Sequence, residues 1–128
     1  MNEPDWLTIE MVVAIHDEQL AIHGGSAGIR DRALLESALD RPRNKWAYES
    51  AELPALGASY GYGIARNRPF VDGNKRAALL AVYTFLGING IDFVVPEAEA
   101  AAMILSLAAG EVSKEDLTRW IADNFPRS

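Results

Sequence analysis

Apolar residues recur at three- and four-residue intervals along nearly the whole chain, the period of helices with one buried face. Ile9, Val12, Val13, His16, Leu20 and His23 share one such face. Thr8 stands ahead of them as a cap, because its hydroxyl can accept an N–H of the first turn. Gly24-Gly25 ends this first helix. Asp31 is placed to cap a second helix that buries Ala33, Leu34, Leu35, Ala38 and Leu39 and stops at Pro42, whose ring and missing N–H oppose continuation. Residues 42–52 read as an exposed connection carrying Trp46 and Tyr48. A third helix opens near Leu53-Pro54, with Leu56, Tyr60 and Ile64 as its stripe. After a break over residues 67–73, a fourth runs over residues 74–86, and its run Ala77 to Val82 is apolar on every side, the mark of a central buried helix. Asn89-Gly90 turns the chain, and Phe93-Val94-Val95 reads as a short extended piece. Pro96 opens an alanine-rich fifth helix ended by Gly110, and Ser113 with Asp116 caps a sixth that buries Leu117, Trp120 and Ile121. The pattern predicts an all-α fold, a compact bundle of about six helices with a loop leading into a buried central helix.

Length and composition narrow what such a bundle can do. With 128 residues and no internal repeat or linker, residues 1–128 read as a single domain. There is no cysteine, which excludes disulfides, thiolate metal sites and a thiol nucleophile. The two histidines, His16 and His23, exclude a three-histidine metal site. Seven residues apart on one helix, they stand about 10.5 Å apart along its axis. His16 therefore reads as a hydrogen-bonded packing residue and His23 as an end-of-helix residue. Twelve Lys and Arg against eighteen Asp and Glu give a net charge of −6, which argues against nucleic-acid binding through bulk charge. No apolar stretch approaches the roughly 20 residues that span a bilayer, and the N-terminus is not a signal peptide, so a cytoplasmic location is expected. Trp6, Trp46 and Trp120 read as packing residues, with Trp46 also placed where a partner could dock.

One segment departs from the rest. Arg66-Asn67-Arg68-Pro69-Phe70-Val71-Asp72-Gly73-Asn74-Lys75-Arg76 crowds cations, one carboxylate, an amide and a glycine around the start of the fourth helix. A helix N-terminus presents unpaired N–H groups and partial positive charge and so attracts phosphate. Gly73 permits close approach of the backbone to a ligand, and Lys75 and Arg76 add cationic donors. Asp72 suits a magnesium ion shared with phosphates, and Phe70 reads as an apolar anchor for the loop. The alternative is a solvated Asp-Gly turn. Hairpins need flanking strands, however, and both flanks here carry helical patterns. The segment is neither a Walker A loop nor a calcium loop.

The run Arg68-Pro-Phe-Val-Asp-Gly-Asn-Lys-Arg76 resembles the signature of the Fic/Doc family, His-x-Phe-x-Asp/Glu-Gly/Ala-Asn-Lys/Gly-Arg. Lysine before the final arginine resembles the Doc, or death-on-curing, toxin branch. Ile15-His16-Asp17, the stretch Gly24 to Asp31, Leu35 to Leu39 with Arg41-Pro42, and Ala109-Gly110-Glu111 extend the resemblance over nearly the whole chain. One position departs: the signature has histidine where this chain has Arg68.

The resemblance implies the toxin of a toxin–antitoxin pair. Doc toxins are kinases that use ATP and magnesium to phosphorylate a threonine of elongation factor Tu and so stop translation, whereas most Fic members transfer AMP. It implies that Asp72 holds magnesium, that Gly73 and Asn74 form the anion-binding turn with backbone and side chain, and that Lys75 and Arg76 hold the nucleotide phosphates. Arg66 is a further candidate for that task, or equally a surface cation ending the third helix. It also implies a small antitoxin partner whose C-terminal segment folds as a helix into a groove. The signature histidine would be the general base. A guanidinium has no acceptor and does not deprotonate, so Arg68 implies a loss of roughly 10²–10⁴ in rate. A crippled toxin and a non-catalytic, antitoxin-binding pseudoenzyme are the two readings of that exchange.

Overall fold

The computed structural model describes residues 2–126. Six helices follow in order: α1 (Ile9–His23), α2 (Arg32–Glu49), α3 (Leu53–Asn67), α4 (Asn74–Ile88), α5 (Glu97–Ala108) and α6 (Lys114–Asp123). Among the described residues no strand forms, only an isolated bridge between Ile29 and Phe70. The expected caps are in place. Thr8 accepts from Met11 N–H, Asp31 accepts from Leu34 N–H, and Ser113 and Asp116 bond each other's backbone N–H reciprocally. Residues 91–95 stay irregular, with Phe93 buried and Val94 exposed.

The helices close on one apolar core. As its sequence predicts, α4 is buried, through Ala77, Ala78, Ala81, Val82, Phe85 and Leu86. The centre, however, belongs to α3, nine of whose fifteen residues are buried. It packs against α2, α4, α5 and α6. Small residues make this possible. A Cβ added to Gly61 would stand 2.8 Å from Val82 Cγ2, and one added to Gly63 would stand 3.1 Å from Ala38 Cβ. Side chains at these points would hold the helices apart, so the glycines let α3 sit within reach of both neighbours.

The second helix corrects the sequence expectation. It runs through Pro42 to Glu49 instead of ending at Pro42. Proline leaves the Ala38 carbonyl without its i+4 donor and costs about 3 kcal/mol in a helix interior. Continuing the helix buries Pro42 itself. It also carries Trp46 to the core edge, where its ring meets Trp6 edge-on at 6.3 Å. Trp46 is thus half-buried in a helix and not in an exposed loop. On the same helix Ala33 proves exposed.

Tyr60 ties the core to the segment before α1. Its ring packs on Phe85 with centroids 4.9 Å apart, and its hydroxyl oxygen accepts the Leu7 N–H at 3.0 Å. Burial pushes the phenol up to about 12, against smaller opposing effects of the Leu7 hydrogen bond and the Arg43 charge. The folded state keeps the phenolic proton over a range in which the unfolded chain, with a phenol near 10, has lost it. Stability from this group is complete below pH 10 and is lost as the pH rises from about 10 to about 12, at about 1.4 kcal/mol per pH unit. Urea midpoints between pH 9 and 11.5 should show this fall. Tyr60→Phe should be less stable at pH 8 by about 1–3 kcal/mol, because the Leu7 N–H loses its acceptor, and should fall less steeply in alkali. Equal alkaline slopes in both proteins would refute the assignment.

Candidate active site

The segment from the end of α3 to the start of α4 forms one face of a cavity of about 540 Å³. Arg68, Asp72, Gly73, Asn74, Lys75 and Arg76 line it, together with Ala65 and Val71. The opposite wall is apolar and comes from the C-terminal end of α5, through Leu105, Ala108 and Ala109. Leu105 has no role in the sequence pattern that would place it here. Three cations and one carboxylate therefore meet at the start of a helix, within a chain of net charge −6. Such a local reversal of sign attracts a polyanion.

The N-terminus of α4 is built by a left-handed residue. Gly73, at φ 75° and ψ 20°, is the N-cap. The first backbone bond of the helix runs from Ala77 N–H to the Gly73 carbonyl. The N–H groups of Asn74, Lys75 and Arg76 ahead of it have no carbonyl within the helix. The Asn74 side chain does not face the cavity as a donor, as the sequence suggested. Its amide oxygen accepts Phe70 N–H at 2.9 Å and its amide nitrogen donates to the Phe70 carbonyl at 3.0 Å. Asn74 therefore locks the loop, and its backbone N–H is what it offers an anion.

Phe70 is 1% exposed, with its ring parallel to that of His16 at 3.8 Å. Neighbouring Pro69 is buried as well, and its carbonyl accepts the N–H groups of both Arg30 and Asp31. A strap of residues 24–31 thus grips the loop from the side. Val71 N–H donates to the Gly28 carbonyl, and Ser26 N–H donates to Asp72 Oδ2 at 3.3 Å. A Cβ on Gly25 would lie 2.8 Å from that same oxygen, so the strap needs glycine there to come this close.

Arg68 caps α3 in the left-handed region, at φ 49° and ψ 58°. Such a conformation is uncommon for a residue with a Cβ. It is held by Arg30, whose guanidinium donates to the carbonyls of Arg68 and Asn67, each at 2.8 Å. The Asn67 amide in turn donates to the Leu34 carbonyl at 2.9 Å. Arg30, Asn67 and Ser26 received no role from the sequence. The signal available there was the glycine-rich run before Arg30-Asp31, whose Gly24, Gly25 and Gly28 all take positive φ.

Arg66 belongs elsewhere, which corrects its candidacy for phosphate. It lies in the last turn of α3 and is not among the residues lining the cavity. Its guanidinium lies over the Tyr62 ring at 5.8 Å and beside Gly110, in a separate hollow bordered by residues 110–116. Neither histidine supplies a base to the cavity. His16 is 1% exposed, with Nε2 against the Asp72 carbonyl at 2.6 Å, and His23 is exposed at the end of α1.

The model described as "Fic/DOC family" matches residues 6–86, a span from before α1 to within α4. The chain is similar to "Protein kinase doc" of Escherichia phage P1, with 34% identity over 105 residues, covering 81% of this chain and 82% of that protein. It is also similar to "Toxin Doc" of Mycolicibacterium smegmatis, with 42% identity over 83 residues, 59% of this chain and 63% of that protein.

Proposed function

The chain belongs to the Fic/Doc family, and on that premise we propose that it is the toxin of a toxin–antitoxin pair. In this proposal it acts as a kinase from ATP on a Ser/Thr hydroxyl of elongation factor Tu, with Arg68 impairing the transfer. The observation that carries this reading is the meeting of Arg68, Lys75, Arg76 and Asp72 with the N-terminus of α4 around one cavity. Lys75 and Arg76 hold the triphosphate, aided by the N–H groups that open α4. Asp72 is the one carboxylate lining the cavity. Among the described residues no three His, Cys, Asp or Glu side chains gather as a metal cage. That donor set fits magnesium, which takes one or two carboxylates and completes its shell with phosphate and water. When bound there, magnesium neutralises phosphate charge.

The transfer needs a proton acceptor. The hydroxyl oxygen of the target bonds to the γ-phosphorus, the bond to the β–γ bridging oxygen breaks, ADP leaves, and the hydroxyl proton must go to a base. Arg68 stands at the position of the family's histidine and has no lone pair to receive it. This same observation favours a second reading, a pseudoenzyme that keeps nucleotide and antitoxin binding without chemistry. In both readings the partner is a small antitoxin whose C-terminal segment folds as a helix into a groove on the toxin.

Label transfer separates the readings. The Arg68→His chain is incubated with elongation factor Tu and ATP labelled on either the γ- or the α-phosphate. Transfer of the γ-label supports the kinase, and transfer of the α-label replaces it by AMP transfer. A histidine variant that binds ATP and an antitoxin peptide yet moves neither label leaves only the binding module.

A further inference from the structure

The polar group buried deepest beneath the loop is one to which the transfer reaction assigns nothing. His16 lies on α1 and is 1% exposed. Its ring is parallel to that of Phe70, at an interplanar angle of 8°. A packing role alone would be served by leucine or phenylalanine, without the cost of burying an imidazole. The imidazole has a polar task in view: Nε2 stands 2.6 Å from the Asp72 carbonyl oxygen. A carbonyl only accepts, so Nε2 carries the hydrogen and donates it.

That bond reaches the cavity through a single peptide unit. In a trans peptide the C=O of one residue and the N–H of the next point in opposite directions. Drawing the Asp72 carbonyl inward to His16 therefore turns the Gly73 N–H outward. There it donates to Asp72 Oδ1 at 2.8 Å, while Ser26 N–H holds Oδ2. The imidazole thus sets the peptide plane, and the plane sets the carboxylate. Gly73 rests on the same ring: a Cβ added to it would lie 3.5 Å from His16 Nε2. The left-handed turn that opens α4 is laid directly on the imidazole edge.

We propose that His16 is the positioning residue of this site, holding the 72–73 peptide so that the Asp72 carboxylate and the N-terminus of α4 share one aim. It touches neither nucleotide nor target and acts through Asp72 and Gly73. The proposal rests on the phosphate-site reading only for its consequence on binding. Its claim about the loop stands on the geometry alone.

Two substitutions separate donor from ring. His16→Phe keeps a ring on Phe70 and removes the donor, whereas His16→Gln keeps an N–H near Nε2 and removes the ring. The amide resonances of Gly73, Asn74 and Lys75 are followed in ¹⁵N-labelled protein. Affinity is measured for magnesium with a non-hydrolysable ATP analogue. His16→Phe should fold, move those amides and weaken binding by about 10–100-fold, the usual effect of losing a group that orients a ligand-holding residue. His16→Gln should restore both most of the way. If His16→Phe does not fold, His16→Met, of similar bulk and without a donor, carries the comparison. Unmoved amides in a folded donorless variant, or equal damage in the glutamine variant, would overturn the proposal. If the unsubstituted chain binds no nucleotide analogue, the phosphate-site reading fails, while the amide shifts still decide whether His16 sets the loop.

Discussion

Arg68→His is expected to raise transfer of label from ATP to a protein hydroxyl by about 10²–10⁴-fold, the usual worth of a positioned general base. That range corresponds to roughly 3–5 kcal/mol of barrier. The substitution supplies the one function a guanidinium lacks, a nitrogen lone pair for the departing proton. It should not disturb the scaffold. Position 68 is a left-handed cap, and histidine is among the residues enriched in that region. Arg30 holds position 68 through its carbonyl, which every residue has. The exchange also removes one of the three cations lining the cavity, so nucleotide affinity should fall modestly and depend less on salt. Initial rates with labelled ATP, together with nucleotide affinity at two ionic strengths, provide the check. A histidine variant that binds ATP but transfers no faster than the unsubstituted chain would leave the binding module as the reading.

Phe70→Ala should cost about 3–5 kcal/mol of stability, the range for truncating a fully buried aromatic ring. For a domain whose total stability is about 5–15 kcal/mol, that is a large share. The ring is 1% exposed and fills the space between the loop and His16. Its backbone is held on both sides, by the Asn74 amide and by the bridge to Ile29, so the loop has little freedom to collapse into the vacated volume. The urea midpoint should fall sharply with little change in slope. Phe70→Leu, which preserves much of the volume, should cost less than about 1.5 kcal/mol. A loss under about 1 kcal/mol for the alanine variant would mean that Phe70 does not anchor the loop.

The residues legible in the sequence are those whose role is local. Thr8, Asp31 and Ser113 cap the helices they precede because a cap acts within a few residues. The run from Arg68 to Arg76 marked a candidate site because cations, a glycine and a helix start are contiguous there, and Arg68, Asp72, Lys75 and Arg76 line one cavity. Three positions differ from the sequence expectation, each through a contact that periodicity does not reveal. Pro42 opposes a helix by itself, yet burial of Pro42 and Trp46 carries α2 through it. Arg66 shares the segment with Arg68, but its guanidinium lies over Tyr62 and beside Gly110. The Asn74 amide is spent on Phe70 and not on a ligand.

Periodicity, caps and one contiguous motif were thus enough to determine an all-helical chain with a loop rich in cations at the start of its fourth helix. Only the tertiary structure decided that α3 occupies the centre, that Leu105 and its neighbours on α5 close the cavity, and that Arg30 and His16 hold the loop from the side and from beneath. The hydrogen bonds of Arg30 and His16 join residues 37–56 positions apart in the chain. Nothing in a local pattern encodes such pairs, because they form only when packing of the helices brings their backbones together.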